Sequence, residues 1–199
     1  MLFIGLTGGI GSGKSEALAA FGRLGAATLS SDAVVHDLLG TDDIRDLLVE
    51  RWGEAVVAGT DVDRGAVAQI VFNQPDELRW LEQSIFPRVG ERMAAWRAGL
   101  ERDGTTKVAV VEVPLLFEAG IEGAFDATVA VVAEESVRAV RAAERGHEAV
   151  EGRAGRQLSQ DDKAAKADHV IHNDGSLEDL EQAASELIRR LEQEAAVGS

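Results

Sequence analysis

Residues 2–15 read Leu2-Phe3-Ile4-Gly5-Leu6-Thr7-Gly8-Gly9-Ile10-Gly11-Ser12-Gly13-Lys14-Ser15. The opening Leu2–Leu6 is a continuous apolar run of strand length. Gly8 to Ser15 then fits G-x-x-x-x-G-K-[ST], and the helical pattern that follows places this motif between a strand and a helix, where a phosphate loop sits. Glycines let the backbone fold around an anion with its N–H groups inward. The helix that begins near Gly13 brings its positive dipole end to the same point. The pattern assigns Gly9, Ile10, Gly11, Ser12 and Gly13 to the phosphate cradle and Lys14 to the β- and γ-phosphates. It assigns the Ser15 hydroxyl to a magnesium ion. The alternative is a glycine-rich turn with an exposed lysine, against which the strand–loop–helix context argues. The loop specifies a nucleoside triphosphate and leaves the second substrate open.

Outward from the loop, two further apolar runs, Val108–Val113 and Thr128–Ala133, read as buried strands, with weaker candidates at Ala26–Leu29 and His169–His172. Runs without alternation suit a parallel sheet covered on both faces. Helical spacing falls on Ser15–Leu24, Asp42–Trp52, Gln74–Leu100 with an interruption at Pro87, and Ser136–Arg145. A last helix follows Ser176, with Asp179 at the reciprocal position of a capping box. Strands alternating with helices indicate an α/β domain built on a parallel sheet. The chain has 199 residues, no cysteine and a formal net charge of −15. That length suits one domain, 1–199, with room for an insertion or lid. Without cysteine there is no disulfide framework and no thiolate zinc site. The acidity speaks against broad binding to nucleic acid or anionic membranes. Met1–Leu6 lacks a preceding basic segment and reads as a strand rather than a signal peptide. No apolar run reaches the roughly 20 residues of a membrane helix, so the expectation is a cytoplasmic protein.

No Asn-Lys-x-Asp guanine motif and no Leu-Ser-Gly-Gly transporter motif occurs in the chain. A small kinase remains, which needs a base for its acceptor and cations around the transferred group. Asp32 follows the weak second strand, on the sheet edge where ligands bind, and is the candidate base. Its alternative role is the cap of a helix over 33–39. Seven of the 20 basic residues lie between 138 and 166. Arg138, Arg141 and Arg145 share a helix face, as expected of a polyphosphate lid or of a solvated helix with local ion pairs. Glu112 ends the second core strand, either as a carboxylate beside a magnesium-bound water or as a strand-end charge. The four histidines make no metal pattern, although His36 stands close after Asp32. Trp52, Trp80 and Trp96 occupy apolar helical positions and read as packing.

With these residues in place, the chain resembles the dephospho-CoA kinase family. The segments that carry the resemblance are Ile4–Ser15, Asp32, Val113-Pro114-Leu115-Leu116-Phe117-Glu118, Arg141-x-x-x-Arg145 with Gln157, and Ala167–Gly175. They span essentially residues 1–192. The resemblance implies a phosphate-loop core with a helical acceptor-binding insertion, roughly 41–103, and a lid, roughly 138–160. It implies transfer of the ATP γ-phosphoryl group to the 3′-hydroxyl of dephospho-CoA with Mg2+, by a monomer or small homo-oligomer. By the same resemblance Asp32 is the base, and Lys14 and Arg145 act on the transferred group. Arg141, Arg145 and Asn173 meet ATP, and Leu115, Leu116 and Glu118 help form the acceptor site with Asp32. Three features depart from the family pattern. Ser30 stands where the family has the first aspartate of Asp-x-Asp. Glu82 and Phe86, before Pro87, replace the asparagine and histidine of Asn-x-x-x-His-Pro. The lid is a few residues short. These departures keep two alternatives open: a related metabolite or nucleotide kinase with a changed acceptor, or a nucleotide-binding regulator.

Overall fold

The computed structural model describes residues 1–144 and 157–197. By its internal contacts the chain divides into two compact units, one of residues 1–30 with 99–199, the other of residues 31–98.

The first unit is built on a parallel sheet. Its strands are β1 (Leu2–Gly8), β2 (Ala27–Ser30), β5 (Val108–Glu112), β6 (Ala127–Val132) and β7 (His169–His172), in the order β2-β5-β1-β6-β7. All four pairings are parallel, with β1 in the middle. Every residue of β5 and β6 is buried, which explains why these strands read as unbroken apolar runs rather than as an alternation. Helices α1 (Lys14–Arg23) and α8 (Leu177–Val197) cover one face. There Ile4, Leu6, Val110, Val129 and Val131 pack with Ala17 and Phe21 of α1 and Leu180, Ala184 and Leu187 of α8. Helices α6 (Glu135–Glu144) and α7 (Gln160–Lys166) also belong to this unit.

Polar side chains set its register. The Phe3 amide donates to Asp126 Oδ2 at 2.8 Å, and the Asp126 amide returns a bond to the Phe3 carbonyl. Thr128 donates from its amide and its hydroxyl to Asp168 Oδ2, at 2.8 and 2.7 Å, which ties β6 to the start of β7. The predicted capping box is made: the Ser176 amide donates to Asp179 Oδ2 at 2.8 Å, and Ser176 Oγ accepts from the Asp179 amide at 3.2 Å. Aspartate thus fills the place of the usual glutamate.

The second unit holds α2 (Ser31–Leu38), α3 (Asp42–Trp52), the short hairpin of β3 (Val57–Ala58) and β4 (Asp61–Val62), α4 (Arg64–Asn73), and most of α5 (Pro75–Asp103). Its buried residues include Val34, Leu38, Ile44, Leu48, Val56, Val67, Ile85, Val89 and Met93.

Three expectations are corrected. Helix α5 runs through Pro87 without a break. The proline withholds one N–H from the ladder, but Ile85, Val89 and Met93, four residues apart, are all buried and hold one continuous ridge. Helix α2 begins at Ser31, so Asp32 lies inside its first turn rather than capping it. Leu177, whose spacing with Leu180, Ala184 and Leu187 predicts a place on the apolar stripe of α8, is 59% exposed and stands outside it. Helices α4 and α7 were not expected. Each starts at a side-chain cap: Asp63 accepts from the amides of Gly65 and Ala66, and Ser159 from that of Asp162. No helix among the described residues is long and apolar enough to cross a membrane.

Candidate active site

The loop between β1 and α1 is shaped by backbone that only glycine adopts at low cost. Gly11 and Gly13 have φ of 76° and 88°. A Cβ on Gly11 would lie 2.9 Å from the Arg138 carbonyl oxygen, and one on Gly13 would collide with Asn173 Nδ2. Among the described residues no other residue type has a positive φ, so the conformational demand of this site falls on glycine alone.

Lys14 opens α1 and donates from Nζ to the Gly9 carbonyl at 3.0 Å, so its ammonium arches over the loop. Ser15, on the same first turn, donates to Glu112 Oε1 at 3.3 Å. Glu112 is 6% exposed at the end of β5, with Leu6 and Ser30 as its register partners on the two flanking strands. A hydroxyl and a carboxylate therefore meet at the carboxyl edge of the sheet. These are the hard oxygen donors that suit Mg2+, and one or two such groups leave the remaining positions to phosphate and water. Ser12 Oγ is buried without a partner, as expected of a cradle whose donors await an anion.

Three side chains brace the loop from outside. Asn173, 4% exposed after β7, donates from Nδ2 to the Ser12 carbonyl at 2.8 Å. Arg141 donates to the Asn173 main-chain carbonyl at 3.0 Å, and Arg138 Nε donates to the Ile10 carbonyl at 2.9 Å. Arg138 also pairs with Glu135 at 2.8 Å. The shared face of Arg138 and Arg141 is thus turned to the loop. The Asn173 carboxamide ties the strand end after β7 to the loop.

On the segment after β5, Leu115 is half-buried, whereas Leu116 is fully buried, lying 2.6 Å from where a Cβ on Gly5 would be. The Leu116 side chain is therefore interior packing. Glu118 is turned inward, with Oε1 at 2.9 Å from Lys163 Nζ and accepting the Leu158 amide at 2.8 Å. Lys163, counted among the basic residues of the lid, has no exposed surface. Arg145, Arg153 and Arg156, and most of the lid stretch 138–160, lie outside the described residues.

In the second unit, Asp32 is exposed in the first turn of α2, two residues after β2 ends at Ser30. His36 stands one turn later and accepts from Arg64, whose Nη1 lies 2.5 Å from Nδ1 and whose Nη2 lies 3.3 Å from the His36 carbonyl. Farther along, Trp52 and Trp80 meet edge to face at 5.1 Å. Arg51 lies over the Trp80 ring at 5.1 Å, and Glu77 accepts from Arg51 and from Trp52 Nε1. Those hydrogen bonds, Arg51 first, hold the Glu77 carboxyl below the usual carboxylate range. The two tryptophans are anchored in packing, as their spacing suggested. Gln160, whose Cβ lies 3.1 Å from where a Cβ on Gly9 would be, escaped the sequence reading. It carries no motif, and only its spacing of three from Lys163 could have pointed to it.

Comparison with known proteins agrees with this geometry. The family model described as CoaE, dephospho-CoA kinase, matches residues 2–179. A dephospho-CoA kinase of Thermus thermophilus is 36% identical over 193 residues, covering 96% of this chain and 92% of the relative. One of Deinococcus radiodurans is also 36% identical, over 192 residues, covering 95% and 92%. A Thermus thermophilus crystal structure superposes with a TM-score of 0.80 at 34% identity, covering 96% of this chain and 97% of the other. A phosphate loop on a five-stranded parallel sheet, the carboxylate at its edge and the family match along nearly the whole chain lead to one assignment: the chain belongs to the dephospho-CoA kinase family.

Proposed function

We propose that this chain transfers the γ-phosphoryl group of ATP to the 3′-hydroxyl of dephospho-CoA, giving coenzyme A and ADP. The observation that carries the reading is the assembled phosphate loop, with Lys14 over Gly9 and Ser15 on Glu112, in a chain of this family. Phosphoryl transfer leaves little covalent work for the protein, so catalysis rests on position and charge. The N–H groups of residues 9–13 and the Lys14 ammonium hold the β- and γ-phosphates and stabilise the charge that spreads over the transferred oxygens. Arg141 and Arg145 supply further cations from the lid stretch 138–160. Ser15 and Glu112 are the residues that would hold Mg2+, which supplies charge neutralisation of the phosphates when bound. Asp32 accepts the proton of the ribose 3′-hydroxyl as that oxygen attacks phosphorus, and the bond to the β,γ-bridging oxygen breaks.

The acceptor side is assigned to Leu115, to Glu118, whose Oε2 is still unpartnered, and to the helical stretch 41–103. The test is a panel of acceptors under saturating ATP. Dephospho-CoA should be preferred by at least about 100-fold in kcat/KM over adenosine, nucleoside monophosphates and pantetheine. A better acceptor among these would overturn the substrate assignment and place the specificity change at Glu82 and Phe86.

A further inference from the structure

Two polar side chains of α7 grip the ends of two different strands. Gln160 donates from Nε2 to the Ala133 carbonyl at 3.0 Å and accepts at Oε1 from the Ala133 amide at 2.9 Å. Lys163, three residues later on the same helix face, donates to the Pro114 carbonyl and pairs with Glu118 at 2.9 Å. Ala133 directly follows β6, and Pro114 stands two residues after β5. These two strands flank β1, which runs into the phosphate loop. Thr7, near the end of β1, donates to the same Pro114 carbonyl at 3.4 Å. Gln160 Cβ also lies against Gly9. The helix therefore spans the strand that carries the loop and is fastened on either side of it.

The burial of Lys163 is what asks for a reason. A lysine is almost never fully buried unless paired. The desolvation of such a pair can exceed its Coulomb gain, so a well-packed apolar residue would serve stability as well. An apolar residue would not hold the Pro114 carbonyl and the Glu118 carboxylate at set positions. We infer that Gln160 and Lys163 are positioning residues that hold the phosphate loop in its nucleotide-binding shape, acting through the chain ends of β6 and β5. This rests on the phosphoryl-transfer reading above, and neither side chain is assigned a contact with ATP.

The test uses the full chain with Gln160→Met, Lys163→Met and both together. ATP affinity is measured without acceptor by fluorescence of a labelled ATP analogue, beside kcat, both KM values and the Tm without nucleotide. In each single variant the ATP dissociation constant and the KM for ATP should rise about 10-fold, with kcat down by a similar factor. In Gln160→Met, which leaves Glu118 untouched, the KM for dephospho-CoA should stay within about 2-fold of wild type. The double variant should lose less than the product of the two single losses, because both act on one loop. Should Lys163→Met fail to fold, Gln160→Met, which removes no charge, decides alone. A lowered Tm with unchanged ATP affinity and kcat would overturn the inference in favour of a structural role. Equal losses toward both substrates in Gln160→Met would overturn it too. If wild type binds ATP but leaves dephospho-CoA unchanged, the substrate assignment falls, and the ATP affinity of Gln160→Met still decides the inference.

Discussion

Lys14 and Asp32 are tied into the fold to different degrees, and that difference makes their roles separable. Lys14 is half-buried with its head on the Gly9 carbonyl, so truncation removes a loop contact as well as a charge. Lys14→Ala should lower kcat/KM by about 10²–10³-fold, the scale for one preorganised electrostatic group. Asp32 is exposed, and Asp32→Ala should leave the Tm within about 1 °C, since exposed substitutions away from special features change stability little. Its turnover should fall by about 10²–10⁴-fold if it handles the proton. Near-normal turnover by Asp32→Ala in a steady-state ADP assay would remove it from the role of base. The loop was legible because its spacing and its place after a strand carry the chemistry. The inward turn of Glu118, Lys163 and Asn173 was not. Side-chain direction at those positions depends on which segments the sheet brings together across the chain.

At the scale of elements, three of the parallel strands were legible as apolar runs and two as weaker candidates, with ends shifted by no more than two residues. Helices α4 and α7 were missed because their starting caps, Asp63 and Ser159, precede segments with little apolar periodicity. The Pro87 break was expected because local backbone chemistry forbids a helical hydrogen bond there, and the buried ridge of α5 outweighs that loss. The tie between β6 and β7 offers an element-scale test. Asp168 is held below the usual carboxylate range, first by the Thr128 hydroxyl, with burial opposing and the Thr128 amide assisting. A depressed pKa adds stability that is full above the ordinary aspartate range and is lost as pH falls through the folded value. Thr128→Val removes two hydrogen bonds of about 1 kcal/mol each, the one its hydroxyl donates to Asp168 Oδ2 and the one it accepts from the Asp168 amide. Their loss together should lower the Tm at pH 7 by about 4–8 °C for a chain of this size. The gap to wild type, read by scanning calorimetry or circular dichroism, should narrow as pH drops below the ordinary aspartate pKa. A gap independent of pH would show that Asp168 is not the partner that matters.

Over the whole molecule, a formal net charge of −15 sets a background of self-repulsion. The ion pairs that offset it are mostly at the surface, such as Arg23 with Glu16 and Glu181, Arg45 with Asp42 and Asp46, and Arg190 with Glu194. Such pairs contribute little and are screened along with the repulsion. The repulsion should dominate the balance, so raising NaCl from about 0.02 M to about 0.5 M, where the Debye length falls well below 10 Å, should raise the Tm. A Tm that falls over that range would mean that the surface pairs outweigh the net charge. The α/β class and the family were legible from the loop and the four segments after it. Residues 31–98 group as a compact unit of their own.

The central claim is tested most directly by mixing the purified chain with ATP, Mg2+ and dephospho-CoA, and following ADP and coenzyme A together by mass spectrometry. Coenzyme A and ADP should form in equal amounts, and both should be lost in Asp32→Ala. ADP without coenzyme A, or neither product despite bound ATP, would contradict it.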